Sequence, residues 1–318
     1  MELFALARNP VPSGAVTGTF PGHDGNPMRF ARFEATRGPR RGTVCLFHGF
    51  TESIEKYFET IADLRRRGYA VATMDWRGQG GSHRESGTGD RGHVRSFVEY
   101  DYDLAAFMRE IVLPDCPPPY IALGHSMGGH ILLRQAHKPG SWFDRMILCA
   151  PMIALNRAQL KAPLPIVRTF AETAALLGFA KRAVPGISDW RDGKGDFETN
   201  RLTSDRVRYY RNRGLLEAAP QLTIGLPTIG WLRAALRSMS EIGDPIYARG
   251  ISLPMMFFIP GKDEITEQSA IEDFSARVKS GTHVILANAK HEILQEADEI
   301  RGRFWAAFDA YLDIEQAA

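Results

Sequence analysis

Cysteine is scarce in this chain. Only Cys45, Cys116 and Cys149 occur in 318 residues, an odd and sparse set that excludes a disulfide framework. No C-x-x-C pair or histidine-rich spacing is present, which excludes the common zinc patterns. No uninterrupted apolar run is long enough to span a bilayer. The first twelve residues carry Glu2 and no basic region, and Arg8 and Pro10 break their short apolar stretch. They do not read as a secretory signal. The formal net charge is only +2, so the overall balance calls for neither nucleic acid nor a strongly acidic partner. Internal repeats and low-complexity segments are lacking. These absences lead to the expectation of a soluble, cytoplasmic protein, with room for peripheral contact at a membrane surface.

What is present fits one large α/β domain, or such a domain carrying an insertion. Cys45 and Cys149 lie in apolar runs and read as small core residues, whereas Cys116 falls in a proline-rich loop. The densest basic run, Arg65-Arg66-Arg67, reads as cations at a helix C-terminus rather than a binding patch.

Along the chain, strands and helices alternate. Strand patterns cover 28–35, 43–47, 69–74, 120–123 and 145–149. Helical patterns cover 55–67, closed by Gly68, then 97–112, stopped by Pro114, and the stretch after Ser126 to about His137. From about 152 to 250 the pattern is helical or irregular. Alternation then resumes with a strand at 255–259, a helix at 267–279, a strand at 283–286 and a last helix at 297–312. This order predicts a mostly parallel sheet covered on both faces. It divides the chain into a core at 1–151, an inserted helical cap at 152–250 and the rest of the core at 251–318.

The strongest chemical signal is Gly124-His125-Ser126-Met127-Gly128. A G-x-S-x-G between a strand and a helix places a serine on a tight turn above the sheet, where small neighbours relieve crowding. A serine hydroxyl needs a base, and the base needs orienting. His291 lies in a loop after the last strand, where functional groups of open α/β sheets collect. Asp263 follows the strand ending at Ile259 and is the preferred acid, with Glu264 as fallback. The order Ser126, Asp263, His291 matches the chain order of such triads. Oxyanion donors are expected from the amide of Met127 and from the loop His48-Gly49-Phe50, where Phe50 is preferred and Thr51 is the alternative. The run Asp75-Trp76-Arg77-Gly78-Gln79-Gly80-Gly81-Ser82 lacks the ending of a phosphate loop. It reads as a structural turn held by Asp75 and Arg77.

Together, His48-Gly49-Phe50, Asp75-x-Arg77-Gly78-x-Gly80-x-Ser82, Gly124-His125-Ser126-Met127-Gly128-Gly129, Gly261-x-Asp263 and His291-Glu292 resemble the monoacylglycerol lipase and lysophospholipase branch of the α/β-hydrolases, in particular the bacterial lysophospholipase L2 type. The resemblance runs from about Arg29 to the C-terminus and is weakest across the insertion. It implies the α/β-hydrolase fold, a cap over the site, no cofactor, and a serine esterase acting on a single-chain acyl ester such as a monoacylglycerol or lysophospholipid. The family's nucleophile, acid and base fall on Ser126, Asp263 and His291, and its oxyanion donors on Phe50 and Met127. The same machinery could serve a peptidase, thioesterase, C–C hydrolase or acyltransferase. A proline aminopeptidase of this superfamily would usually carry Trp in the elbow, where this chain has Met127. A binding module without activity is the remaining reading, and the intact Ser, Asp and His set speaks against it.

Within 152–183 and 222–236 many apolar residues occur. Most are expected to bury against the core, with some lining an acyl tunnel. Lys161, Arg168, Lys181 and Arg182 are expected to form a solvated face, or to favour an anionic headgroup or membrane.

Overall fold

The computed structural model describes residues 2–160, 162–186 and 196–313. Lys161 therefore lies outside the described residues.

In chain order the elements are β1 (Val16–Pro21), β2 (Pro27–Phe33), β3 (Thr43–Phe47), α1 (Phe58–Arg66), β4 (Ala70–Met74), α2 (Phe97–Phe107), α3 (Leu113–Asp115), β5 (Tyr120–His125), α4 (Met127–Ala136) and β6 (Arg145–Cys149). They continue with α5 (Leu164–Ala174), α6 (Arg206–Ala218), α7 (Ile229–Ile242), α8 (Pro245–Arg249), β7 (Met255–Pro260), α9 (Gln268–Arg277), β8 (Gly281–Leu286) and α10 (Asp298–Tyr311). A 3₁₀ turn at Ile54–Tyr57 leads into α1, and a π-helical turn at Met108–Val112 joins α2 to α3.

Among the described residues the strands form one eight-stranded sheet in the order β1-β2-β4-β3-β5-β6-β7-β8. Pairings from β4 through β3 to β8 are parallel, while β1–β2 and β2–β4 are antiparallel. The central strands β3, β4 and β7 are buried along their whole length, which is why they read as continuous apolar runs rather than alternating ones. Side chains alternate between two cores. In β5, Ala122 faces a core built with α2, α4, α7 and α9, whereas Ile121 and Leu123 face one built with α1 and α10. This is the α/β-hydrolase layering, and it puts the carboxyl ends of β3, β5, β7 and β8 along one edge of the sheet.

Strand β1 was not expected. Its run is punctuated by Gly18, ends on Pro21 and is largely exposed at the sheet edge, so it lacks the apolar signal of the buried strands. Arg77 also departs from expectation. Its guanidinium leaves the glycine-rich turn and binds Asp103 of α2 and Asp24 of the β1–β2 turn. Asp75 holds the turn, accepting the amides of Gly81 and Ile54 and the Nε of Arg29. Of the basic run, Arg65 reaches the Glu34 carbonyl, Arg66 pairs with Asp63 and Arg67 with Asp309. Cys116 is buried, like Cys45 and Cys149.

Between β6 and β7 the chain leaves the sheet for residues 150–254. Leu222, Ile224, Ile229 and Trp231 bury as expected, but the expectation fails for α5 and the turn after it. Leu164, Ile166, Phe170, Leu176, Leu177 and Phe179 are all exposed, Leu176 and Leu177 at 79% and 68%. The reason is geometric: α5 packs on α7 rather than on the sheet, so a helix with apolar residues around much of its surface leaves part of them in solvent.

Candidate active site

Ser126 sits where β5 ends and α4 begins, with φ 50° and ψ −114°. A left-handed conformation at a non-glycine residue costs on the order of 1–3 kcal/mol and persists only where surroundings enforce it. Here the Ser126 amide donates to Cys149 O at 3.0 Å, and its carbonyl accepts from His130 N at 3.0 Å and Met152 N at 3.1 Å. The side chain does not cap α4, so the hydroxyl is not spent on the helix.

The elbow glycines answer to close packing. A Cβ on Gly124 would lie 2.9 Å from the Gly129 Cα, and one on Gly128 would lie 2.5 Å from the Phe47 carbonyl oxygen. The helix start is thereby pressed onto the ends of β3 and β5. The loop after β3 crosses directly over the serine, since a Cβ on Gly49 would be 3.2 Å from the Ser126 Cβ.

His291 Nδ1 lies 2.8 Å from Asp263 Oδ2, and both side chains are almost fully buried. Asp263 also accepts from the Thr266 hydroxyl at 2.5 Å and the Ile265 amide at 2.7 Å. Burial pushes its carboxyl up, but the His291 charge and these hydrogen bonds outweigh that and hold it below the usual carboxylate range. Burial likewise pulls the His291 imidazole down, but Asp263, Glu292 and Glu52 raise it above its ordinary value. Glu264, the fallback acid, points to solvent and pairs with Arg201 at 3.2 Å. The His291 loop lies against the elbow: the rings of His125 and His291 are 4.8 Å apart, and His125 Nε2 is 3.2 Å from the His291 carbonyl.

Of the amides expected to receive an oxyanion, Met127 N–H is at the first position of α4, where a helix has no internal partner for it. In the other loop, Thr51 N–H donates to Gln79 Oε1 at 2.6 Å and Gly49 N–H to Glu52 Oε2 at 2.5 Å. That commits Thr51, the alternative donor, to another partner.

Sequence reasoning missed the ionic frame behind the site. Glu52 accepts from Gly49 N, Lys56 Nζ and Tyr57 OH, and lies 3.3 Å from His125 Nδ1. Lys56 also reaches Glu292, the residue after His291, at 2.5 Å. One buried carboxylate thus ties together the β3 loop, the elbow and the histidine loop. The sequence held two traces of it, the glutamate three residues after Gly49 and the His291-Glu292 pair.

Residues 38–298 match the family described as serine aminopeptidase, S33. The chain belongs to this family. Lysophospholipase L2 of Escherichia coli (strain K12) is 32% identical over 293 residues, covering 89% of this chain and 83% of the relative. Monoglyceride lipase of Rattus norvegicus is 24% identical over 264 residues, covering 83% and 82%. In three dimensions, a soluble variant of monoglyceride lipase from Saccharomyces cerevisiae, solved with a substrate analog, superposes with a TM-score of 0.71 at 21% identity, over 94% of this chain and 96% of that one. The S33-family chain is therefore an α/β-hydrolase of the lysophospholipase and monoacylglycerol lipase branch, as its motifs implied.

Proposed function

We propose that this protein is a serine carboxylic ester hydrolase that cleaves single-chain acyl esters, a monoacylglycerol or a lysophospholipid, through an acyl-enzyme on Ser126. The buried His291–Asp263 pair, on a loop packed against His125 of the elbow that carries a strained, helix-opening serine, carries the reading. The names of the relatives that match over most of the chain support the substrate class. His291 Nε2 takes the Ser126 proton as Oγ attacks the ester carbon, while Asp263 stabilises the imidazolium. The amides of Phe50 and Met127 receive the developing oxyanion. The alcohol leaves with the proton from His291, and water activated by the same ring then releases the fatty acid. Residues 152–250 serve as a cap over this site. The family description names an aminopeptidase, but the elbow carries Met127, and the two relatives named above are called lysophospholipase L2 and monoglyceride lipase.

The apolar side chains exposed on α5 and the following turn, with exposed Arg168 and Arg182 beside them, give the cap a surface suited to a lipid bilayer. Lys181 is less available, since it pairs with Glu85. Among the described residues no helix is long and apolar enough to cross a membrane; the contact proposed is peripheral.

Hydrolysis of p-nitrophenyl esters from acetyl to palmitoyl, by wild type and Ser126→Ala together, tests the proposal. Ester cleavage that disappears in the variant and favours long acyl chains is expected, followed by turnover of monoacylglycerol or lysophospholipid. A folded wild type with no esterase activity would overturn it.

A further inference from the structure

The Phe50 ring sits in a slot shared by the loop before α2 and the segment that opens α7. Gly92 forms one wall: a Cβ there would overlap the Phe50 ring, so the missing side chain makes the room. Trp231, the third residue of α7, forms the other, its ring 4.2 Å from that of Phe50 and inclined by 32°. The two walls are joined to each other. Gly92 N donates to Leu226 O at 3.2 Å, and Thr228 N donates to Gly92 O at 3.0 Å. The Thr228 hydroxyl accepts the Trp231 amide at 3.1 Å and meets His93 Nδ1 at 2.7 Å. Trp231 also packs against Phe97 of α2, with ring centres 5.9 Å apart, and is 6% exposed. On the backbone side, Gly49 N and Thr51 N are both fixed by side chains of the core, Glu52 and Gln79. The Phe50 amide lies between these two fixed points, on the residue whose ring meets Trp231.

We infer that Trp231 is a positioning residue for catalysis: its indole clamps the Phe50 ring and so sets the oxyanion-binding amide of the β3 loop. Part of the machinery that stabilises the transition state is thereby held by the segment between β6 and β7, not by the sheet. The inference rests on Phe50 being an oxyanion donor, as proposed above. Such donors act within a few tenths of an ångström of the position the oxyanion will occupy, so slack in the ring translates into lost rate rather than lost binding.

The test compares full-length wild type, Trp231→Ala, Trp231→Phe and Gly92→Ala on p-nitrophenyl acetate, whose acyl group is too short to need a long pocket. Removing an oxyanion donor costs about 10²–10³ in kcat, so a displaced one in Trp231→Ala should cost about tenfold or more, with KM little changed. Trp231→Phe, which keeps a ring in the slot, should recover most of the rate. Gly92→Ala, which pushes the Phe50 ring from the opposite side, should also lower kcat selectively. Phosphorylation of Ser126 by diethyl p-nitrophenyl phosphate, releasing p-nitrophenolate, should slow in the same order, and thermal melts should show each variant folded. If Trp231→Ala does not fold, Trp231→Phe and Gly92→Ala decide the matter. Unchanged kcat on acetate with altered KM or chain-length preference would overturn the inference and make Trp231 an acyl-pocket wall. A wild type that neither cleaves esters nor is labelled at Ser126 would instead overturn the esterase reading itself.

Discussion

Lys56 Nζ lies 2.5 Å from Glu292 Oε1, with the two side chains 12% and 7% exposed. The same ammonium binds Glu52 at 2.7 Å, so one cation is shared by two carboxylates, one from the β3 loop and one from the histidine loop. Burial alone would lower the lysine's proton affinity, but the two carboxylates reverse this and raise it. Lys56→Met would take the shared cation from both carboxylates, leaving Glu52 with the Gly49 amide and the Tyr57 hydroxyl. Removing one partner of a buried pair costs about 3–5 kcal/mol, and urea unfolding of the variant should show a loss of that order. A loss indistinguishable from zero would mean that water already screens the cluster.

Asp263→Asn should lower kcat on esters by on the order of 10⁴, as loss of the orienting carboxylate does in other triads. Glu264→Gln should stay near wild type, because its carboxylate faces Arg201 in solvent. Steady-state kinetics on one p-nitrophenyl ester separates the two. The reverse ranking would mean that the acid is misassigned.

The raised proton affinity of His291 has a definite sign in the pH profile. Only the neutral ring can accept the serine proton, so kcat/KM should climb with pH along a limb centred above the ordinary imidazole value of about 6.5. Glu292 contributes to the shift, so Glu292→Gln should move that limb down. Stability follows the opposite course. The His291–Asp263 interaction stabilises the fold fully below the ordinary imidazole value, and the part due to the ring's charge is lost as pH rises through the folded value. A limb below the ordinary value would mean that burial outweighs the carboxylates around His291.

Gly128→Ala should impair the fold as well as the chemistry. Its Cβ would be 2.5 Å from the Phe47 carbonyl and 2.6 Å from that of His48, both backbone atoms with little freedom to retreat. The expected result is a lowered melting temperature and little activity. Retention of both would show that α4 can slide on β3.

Leu176→Asp with Leu177→Asp should weaken co-sedimentation with anionic phospholipid vesicles while leaving hydrolysis of soluble p-nitrophenyl acetate intact. Equal sedimentation of variant and wild type would remove this surface from the account of membrane contact.

The parts of this architecture that the sequence announced are those set by local rules. Buried parallel strands such as β3 and β7 are uninterrupted apolar runs, and the elbow needs glycine at fixed offsets from Ser126. What escaped was set by tertiary neighbours. Strand β1 has half-exposed residues and no apolar periodicity strong enough to mark it. The choice of Asp263 over Glu264 became geometric only once the turn showed which carboxylate faces inward. Thr51 stood beside Phe50 as a donor until Gln79, distant in sequence, claimed its amide. Glu52 and Lys56 are a local pair four residues apart, but their traces in the sequence do not foretell that Glu292 joins them, because it lies 236 positions from Lys56. The exposure of α5 follows from which neighbour it packs on, a choice that composition leaves open.

The excursion of residues 150–254 starts and finishes on strands that are bonded neighbours: Met146 N donates to Pro254 O at 3.0 Å, and Ala150 N to Phe258 O at 3.0 Å. Its two ends are thus pinned side by side whatever lies between them. Doubling the length of a flexible connection adds only about 0.6 kcal/mol of closure cost. Evolution could therefore lengthen, shorten or exchange this excursion while the reacting groups kept their places on the sheet. Substrate preference would then diverge quickly among descendants of one ancestor whose chemistry stood still.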